Sequence, residues 1–184
     1  MEILLPSGVL VVLVILAILL YNDLVQALAR TREAWAGTAA QLKRRTDLVP
    51  NLVSAIKSYA AHELQLLDEV AQRRAEVGRA PGPATAGQAD LALSAALGRL
   101  IAVAESYPNL KASDNFLELQ QELADVEEKI AYARRFYNQC AQEYNIRIQS
   151  VPSLVVAWLC RFRPVEYFQA EAPDRKTVQV SSTH

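Results

Sequence analysis

The most regular hydrophobic pattern in the chain runs through residues 113–150, where apolar side chains recur at alternating spacings of three and four. This spacing places one apolar stripe along a helix and is typical of the a/d seam of a helix that packs against other helices. Neither Gly nor Pro interrupts the run, so it predicts a single helix of about 55 Å. The predicted seam consists of Phe116, Leu119, Leu123, Val126, Ile130, Ala133, Tyr137, Cys140 and Tyr144.

The chain begins with an apolar segment that carries no charged side chain from residue 3 to residue 20. About 18 residues is the lower limit for a helix that crosses a bilayer, and we interpret residues 1–21 as a retained transmembrane anchor. A cleaved signal peptide is the alternative, since Ala27 and Ala29 have the spacing of a cleavage site. Against that alternative, no Lys or Arg precedes the apolar run, and the run is longer than a typical signal core. Because Lys and Arg only follow the segment, the N-terminus is predicted to lie outside and the rest of the chain in the cytoplasm.

The three/four spacing continues past Tyr21, so the anchor is predicted to extend into a soluble helix without a break. Pro50 is predicted to begin a second helix that runs to about Gly78, because proline suits a first helical turn and Asp47 can cap it. The basic triplet at residues 43–45 is predicted to be the solvated end of the bundle. The predicted seams are Val25, Leu28, Arg32, Trp35, Ala39 and Leu42 in the first helix, and Leu52, Ile56, Tyr59, Glu63, Leu66 and Val70 in the second.

Residues 78–90 change in composition, because Gly, Pro and Ala replace the large apolar residues, and they are predicted to form a flexible linker. A third helix is predicted from Leu91 to Ser106, followed by the long helix, which Ser113 is expected to cap. Residues 169–184 are polar and are expected to be disordered. The sequence therefore predicts an all-α protein, in which an N-terminal transmembrane helix continues into an antiparallel up-and-down bundle of about four long helices over residues 22–168.

Composition adds little to this picture. Apolar residues make up 52% and charged residues 21% of the 184 residues, which is ordinary for one globular domain. The net charge of −1 gives no sign of the basic face that a nucleic-acid partner requires. Cys140 and Cys160 lack CxxC spacing and are expected to be inert thiols in a reducing compartment.

No pattern typical of an enzyme is found in the sequence. The two histidines are His62 and His184, and the residues after His62 match neither the Glu-x-x-His pairs of di-metal bundles nor the His-Glu-x-x-His of zinc proteases. No Gly-rich phosphate loop or Gly-x-Ser-x-Gly elbow is found. We therefore predict a protein that is not an enzyme, with no cofactor, no metal and no evident small-molecule substrate.

Polar side chains beside the seam are the unusual feature of the long helix. Asn138 and Asn145 each follow a seam tyrosine directly and lie seven residues apart. One interpretation is that buried hydrogen bonds from such groups fix the register of the helices. The other is a recognition surface for a partner helix. The candidates for either role are Asn51, Tyr59, Tyr107, Asn109, Arg134, Tyr137, Asn138 and Asn145.

The segment after Pro152 is apolar over about seven residues, which is too short to cross a bilayer. In an up-and-down bundle whose first helix rises from the membrane, the fourth helix ends facing the lipid. Aromatic and basic residues of this segment are therefore predicted to lie at the membrane interface; the alternative is that they close the bottom of the bundle. These candidates are Trp158, Arg161, Phe162, Tyr167 and Phe168.

Several short sequence motifs, in this order along the chain, closely resemble those of the LemA family. They are residues 47–52 (DLVPNL), residues 102–112 (AVAESYPNLKA), the Ala133-Arg134-Arg135 triplet and the two Tyr-Asn pairs at 137–138 and 144–145. The resemblance covers about residues 20–168. It implies a bacterial protein with one N-terminal transmembrane helix, a cytoplasmic antiparallel helical bundle and no established enzymatic activity. The chain departs from the family at Cys160-Arg161, where a Gly is frequent, and in its tail.

These observations favour an interaction protein. The hypothesis is a non-enzymatic, single-pass scaffold at the cytoplasmic face of a bacterial inner membrane, which either self-associates or serves a membrane protein partner. An enzyme such as a hydrolase, or a ligand sensor that uses a gap between helices, is the alternative; either would have its site within the bundle.

Overall fold

The computed structural model describes residues 4–60 and 62–168, which form six helices and no β-strand. The predicted all-α bundle is thus confirmed over the described residues, while the polar tail at residues 169–184 lies outside them. The helices are α1 (Leu4–Lys57), α2 (Leu64–Arg79), α3 (Pro83–Ala104), α4 (Pro108–Lys111), α5 (Asp114–Gln149) and α6 (Ser153–Leu159).

α1 and α5 pack antiparallel along most of their length. The contacts run from Arg147 with Asp23 at one end to Glu127 with Arg45 toward the other. We call the end of the bundle nearest residue 21 the lower end. α2 and α3 form a shorter antiparallel hairpin, joined by Arg99 and Glu69, that packs on the upper half of the pair. The upper half is therefore a four-helix bundle, whereas at the lower end, around Leu24 and Ala27, the described residues that accompany α1 and α5 belong to α6 and residues 160–168.

The helix boundary predicted at Pro50 is wrong, because α1 continues through Pro50 to Lys57 and α2 begins only at Leu64. A proline inside a helix leaves the carbonyl four residues earlier without its N–H donor, and here that carbonyl belongs to Thr46. Arg74 of α2 supplies a donor, with its Nε 2.6 Å from the Thr46 oxygen. A side chain from the neighbouring helix thus replaces the missing backbone hydrogen bond.

The predicted linker at residues 78–90 is also mostly wrong, since α3 begins at Pro83 and only residues 80–82 join it to α2. Pro83 suits the first position of a helix, where its missing N–H costs nothing. The hydroxyl of Thr85 accepts a hydrogen bond from the Gly82 N–H at 3.2 Å. Ala86 and Gly87 are buried, so the small residues that resembled a linker form the tightly packed start of a helix.

The buried stripe of α1 is shifted by one position from the predicted seam over residues 24–38. Val25 and Arg32 are exposed, and their neighbours Leu24 and Thr31 are buried. The stripe was missed because two of its members are threonines; Thr31 and Thr38 each bond their own hydroxyl back to a helix carbonyl at 2.9 Å. The stripe consists of Leu24, Ala27, Thr31, Ala34, Thr38, Leu42 and Val49.

The remaining predicted seams fit the structure better. Eight of the nine seam positions of the long helix face the core, with Cys140 only half-buried, whereas the half-buried Ala133 lines the surface beside it. Ser113 stands at the N-cap position of α5, but its side chain makes no capping hydrogen bond. In the predicted second seam, Tyr59 is exposed and Glu63 is half-buried, because both fall in the turn between α1 and α2.

The lower part of α1 is an apolar helix that no other described segment covers over residues 10–19. Its large side chains from Leu10 to Leu19 are 41–64% exposed. By length and composition, two helices among the described residues are able to cross a membrane, namely the α1 segment Leu10–Lys57 and α3 (Pro83–Ala104). α3 packs against α2 and contributes Leu93, Leu97 and Leu100 to the core, so the apolar surface of α3 is used inside the bundle.

Candidate functional site

The two Tyr-Asn pairs of α5 hold an extended segment, residues 163–168, which we call the strap. At the lower pair, the Tyr144 hydroxyl donates to the Arg163 carbonyl at 2.9 Å. The Asn145 amide donates to the Val165 carbonyl and its oxygen accepts from the Val165 N–H, both at 2.9 Å. Asn145 therefore binds the strap backbone as a neighbouring strand would.

The upper pair repeats the arrangement. The Tyr137 hydroxyl donates to the Glu166 carbonyl at 2.5 Å. The Asn138 amide donates to the Phe168 carbonyl at 3.1 Å, and its oxygen accepts from the Phe168 N–H at 2.8 Å. Both pairs bind main-chain groups, so the hydrogen bonds do not depend on the side chains of the strap.

The repeat distances explain why both pairs engage at once. Seven residues of α-helix rise about 10.5 Å, and three residues of extended chain span about 10 Å. Asn145 and Asn138 are seven residues apart on α5, and they bind Val165 and Phe168, which are three residues apart on the strap. The asparagines therefore fix the register of the strap on α5; the predicted role in the register of neighbouring helices is not what the contacts show.

Burial keeps the two phenols in their donor form. The pKa of Tyr137 is raised to about 12, first by burial and then by the charge of Glu166. Burial likewise raises the pKa of Tyr144. Both hydroxyls remain protonated at neutral pH and donate to the strap carbonyls.

The end of the strap is part of the core. Phe168 is only 2% exposed, and its ring centroid lies 6.4 Å from that of Trp35, which in turn lies 5.6 Å from that of Tyr137. Phe168 was predicted at the membrane interface, and that prediction is wrong, because the strap runs back along α5 away from the lower end. Phe162 is half-buried against Tyr21, at 5.8 Å in an edge-to-face arrangement.

α6 presents a different surface. Ala157 packs into the lower core with Leu24 and Ile148, whereas Trp158 on the opposite side is 78% exposed. Arg161 and Tyr167 are exposed as well. An exposed apolar patch of this kind marks a surface that contacts a partner or a membrane. Its large apolar members are Val151, Leu154, Val155, Trp158 and Leu159.

A cluster of charges around the buried Arg45 joins three helices in the upper half. Arg45 of α1 contacts Asp90 of α3 at 2.8 Å and Glu127 of α5 at 2.7 Å. Burial raises the pKa of Asp90, and the guanidinium of Arg45 opposes that rise. The predicted solvated end at residues 43–45 is thus wrong for Arg45, which is buried. The available signal was that Arg45 continues the three/four spacing from Leu42 to Val49.

The other candidate residues do not join the Tyr-Asn pairs. Asn51 and Tyr59 are exposed near the upper end of α1, and Asn109 is exposed in α4. Tyr107 is half-buried against the upper core. Arg134 is half-buried on α5. The structure therefore brings together three of the eight predicted residues, Tyr137, Asn138 and Asn145, adds Tyr144 to them, and leaves the other five dispersed.

The described residues offer little for catalysis. They contain no cluster of three or more His, Cys, Asp or Glu side chains placed to hold a metal ion, and His62 is exposed. Burial is the main cause that raises the pKa of the Cys140 thiol, which disfavours the reactive thiolate.

A groove of 760 Å³ lies between α1 and α5 near the middle of the pair, on the flank opposite the strap. Sequence analysis missed it, although two aromatic residues four apart on α5, outside the seam, were a visible signal. The groove is lined by Arg30, Glu33, Ala34, Gly37, Gln41, Glu128, Lys129, Tyr132, Ala133 and Phe136.

Comparison with known proteins gives one family. A model described as the LemA family matches residues 34–181. Magnetosome protein MamQ 2 and Magnetosome protein MamQ 1 of Paramagnetospirillum magneticum are each 29% identical over 175 residues, which covers 81% of this chain and 64% of each relative. Protein LemA of Metamycoplasma hominis is 26% identical over 161 residues, covering 87% of this chain and 74% of that protein. The chain thus spans slightly under two thirds of the length of the MamQ relatives.

Proposed function

The chain belongs to the LemA family, and from this premise we propose that it is a single-pass membrane scaffold without enzymatic activity. Its apolar N-terminal helix is the anchor, and its bundle stands at the cytoplasmic face of a bacterial inner membrane as an interaction module. Its partner is a second copy of the chain or another membrane protein.

The observation that carries the proposal is the continuity of α1. One helix of 54 residues contains both the exposed apolar segment and the core stripe of the bundle, so no hinge separates anchor from bundle. Ala27, beside the alternative cleavage site, is buried against Tyr144 and Ile148. Cleavage of a signal peptide there would remove part of the lower core, which favours a retained anchor.

The orientation follows from charge. No Lys or Arg precedes the apolar segment, and Arg30 and Arg32 follow it. The bias of basic residues toward the cytoplasm supports a cytoplasmic bundle.

α6 then lies at the lipid surface. It packs beside the point where α1 leaves the apolar segment, since Phe162 contacts Tyr21. Its exposed Trp158 and the neighbouring Arg161 are residue types that settle at an interface. The anchor and α6 together would hold the bundle at one height and one tilt.

Membrane insertion is tested by alkaline extraction of bacterial membranes. The full chain is expected to stay in the pellet, and a chain that lacks residues 1–21 is expected to be soluble and helical. A mature protein that begins near Arg30, or a truncated chain that aggregates, contradicts the anchor. Protease added to spheroplasts and to inverted vesicles reports the side, and digestion of the bundle in spheroplasts contradicts the orientation.

Contact of α6 with lipid is tested by fluorescence. In the Trp35→Phe protein, Trp158 is the remaining tryptophan, and brominated lipids are expected to quench it. The matched control is Trp158→Phe, which leaves Trp35. That residue lies 14 positions, or about 20 Å, above Tyr21 and is expected to stay unquenched. Equal emission of Trp158 with and without brominated lipid overturns this part of the proposal.

The scaffold role itself is tested by crosslinking in native membranes. Photoreactive groups on the exposed bundle surface are expected to give a specific adduct with a second copy or another protein. Recovery of the chain without any adduct, together with turnover of a substrate by the purified protein, would favour an enzyme.

A further inference from the structure

The pair formed by α1 and α5 is open on one side. At the level of Trp35 the strap and the α2–α3 hairpin cover the other flank, where Trp35 contacts Phe168 and lies close to Val77 and Ala86. Glu33 and Gly37 lie on the open flank of α1 and line the 760 Å³ groove. A pair of antiparallel helices with one open groove is half of a four-helix bundle.

The groove combines hollows with projecting side chains. Ala34, Gly37 and Ala133 form a floor of small residues, and a Cβ atom added to Gly37 would meet nothing within 4 Å. Beside this floor, Tyr132 and Phe136 of α5 are 67% and 49% exposed. The surface thus carries both the cavity and the aromatic side chains of suitable size to fill it.

One residue that lines the groove has a polar atom without a partner. The Oε1 atom of Gln41 is buried, and no hydrogen bond reaches it within the described part of the chain. A buried acceptor without a donor is costly, so an occupant that offers an O–H or N–H would favour a turn of the Gln41 amide toward the groove.

A second copy matches these features in register. Two copies anchored in one bilayer stand parallel, so a twofold axis along the bundle sets α1 of one copy against α5 of the other at equal heights. The contacts within one chain give those heights; Phe136 falls level with Gly37, and Tyr132 level with Gln41, within about one residue or 1.5 Å. The contacts are Asp23 with Arg147, Thr31 with Cys140, and Arg45 with Glu127.

The charges at the two ends of the groove match in the same register. Arg44 of one copy falls level with Glu128 of the other, and Glu143 lies two residues, or about 3 Å, from the level of Arg30, within reach of its long side chain. All four side chains are exposed. Each twofold contact repeats both pairs, so opposite charges meet at four places around an aromatic centre.

We propose that the groove is a homodimer interface, in which α1 and α5 of two membrane-anchored copies complete a four-helix bundle. Phe136 of each copy fills the hollow above Gly37 of the other, and the Tyr132 hydroxyl donates to the Oε1 atom of Gln41 once that amide turns toward the groove. This inference rests on the proposed anchoring, because the shared bilayer sets the two copies at one height.

The test compares two leucine variants of the full chain. Gly37→Leu fills the hollow, whereas the control Gly98→Leu adds the same side chain on α3, where a Cβ also meets nothing within 4 Å. Light scattering in mild detergent gives the mass, relative to a chain mass of 20.3 kDa. Energy transfer between copies labelled at the exposed Cys160 reports association in lipid vesicles. We expect dimers for the wild type and Gly98→Leu, and monomers for Gly37→Leu with unchanged helicity.

A charge exchange gives a second, independent readout. Arg44→Glu is expected to weaken the dimer, and Arg44→Glu combined with Glu128→Arg is expected to restore it. A wild type that is monomeric yet membrane-inserted overturns the inference and leaves the proposed anchoring intact. If Gly37→Leu still forms a dimer, the contact between copies lies elsewhere. If a different protein or a small molecule is bound by the wild type and not by Gly37→Leu, the groove has another occupant. Both results also overturn the inference. Failure of membrane insertion contradicts the proposed function itself.

Discussion

Removal of one of the two α5 asparagines that bind the strap should release the strap while the bundle stays folded. Asn145→Ala deletes the side chain that donates to the Val165 carbonyl and accepts from the Val165 N–H, both at 2.9 Å. A hydrogen bond contributes about 0.5–1.5 kcal/mol net, so loss of the two should cost about 1–3 kcal/mol. Water can reach the half-buried Val165, which argues for the lower part of that range.

Hydrogen exchange measured by mass spectrometry on the full chain follows the strap directly. The amides of Val165 and Phe168 donate to Asn145 and Asn138, and Asn145→Ala should raise their exchange rate about 5- to 150-fold, which is the equivalent of 1–3 kcal/mol. The amides of α3 should not change. Asn109→Ala, an exposed asparagine on α4, is the matched control.

An aspartate in place of Asn145 separates hydrogen bonding from side-chain volume. Asn145→Asp keeps the shape and still accepts from the Val165 N–H, but its carboxylate faces the Val165 carbonyl and repels it. The strap should therefore be released at neutral pH even though no cavity forms. Unchanged exchange of the Val165 amide in both Asn145 variants, or equal acceleration in Asn109→Ala, would refute the assigned role of the asparagine.

Four further predictions concern stability, measured by urea unfolding. Leu123→Ala should lower the free energy of unfolding by about 2–5 kcal/mol, because a cavity opens in a closely packed seam. His62→Ala should change neither stability nor any activity, and a His62 variant that folds but loses an activity would support the enzyme hypothesis. Arg74→Leu should destabilise by about 1–3 kcal/mol because a helix carbonyl loses its donor, and by clearly less in a Pro50→Ala background, where a backbone N–H takes over; equal costs in the two backgrounds would contradict that role. The pKa of Tyr137 is raised from 10 to about 12, so the folded state favours the neutral phenol, and the free energy of unfolding should fall as pH rises from 10 to 12. Tyr137→Phe should make that fall less steep. An unchanged slope would contradict the burial of the phenol.

The sequence determined the local features of this fold. The 36-residue helix α5 follows from an unbroken three/four pattern, and its seam residues Phe116, Val126 and Ile130 are buried. The apolar segment near the N-terminus was equally visible, since its composition alone departs from that of a soluble helix. Helical periodicity and apolar content are properties of neighbouring residues, and no distant contact is needed to recognise them.

The tertiary structure decided where the helices end. Pro50 predicted a boundary, yet α1 continues because Arg74, from another helix, reaches the open carbonyl of Thr46. The small residues before Asp90 predicted a linker, but they form the start of α3 because α2 packs closely against them. Propensity near a boundary amounts to about 1–3 kcal/mol, which one tertiary contact can outweigh.

The tertiary structure also decided what the polar residues do. The spacing of Asn138 and Asn145 made them visible, but their partners, Phe168 and Val165, lie 30 and 20 residues away in the chain. Arg45 and Asp90 are surface residue types by composition, and only the meeting of three helices buries them. The partner of a polar group depends on which segments the whole fold brings within hydrogen-bonding distance, and the pattern of residues around that group does not contain this information.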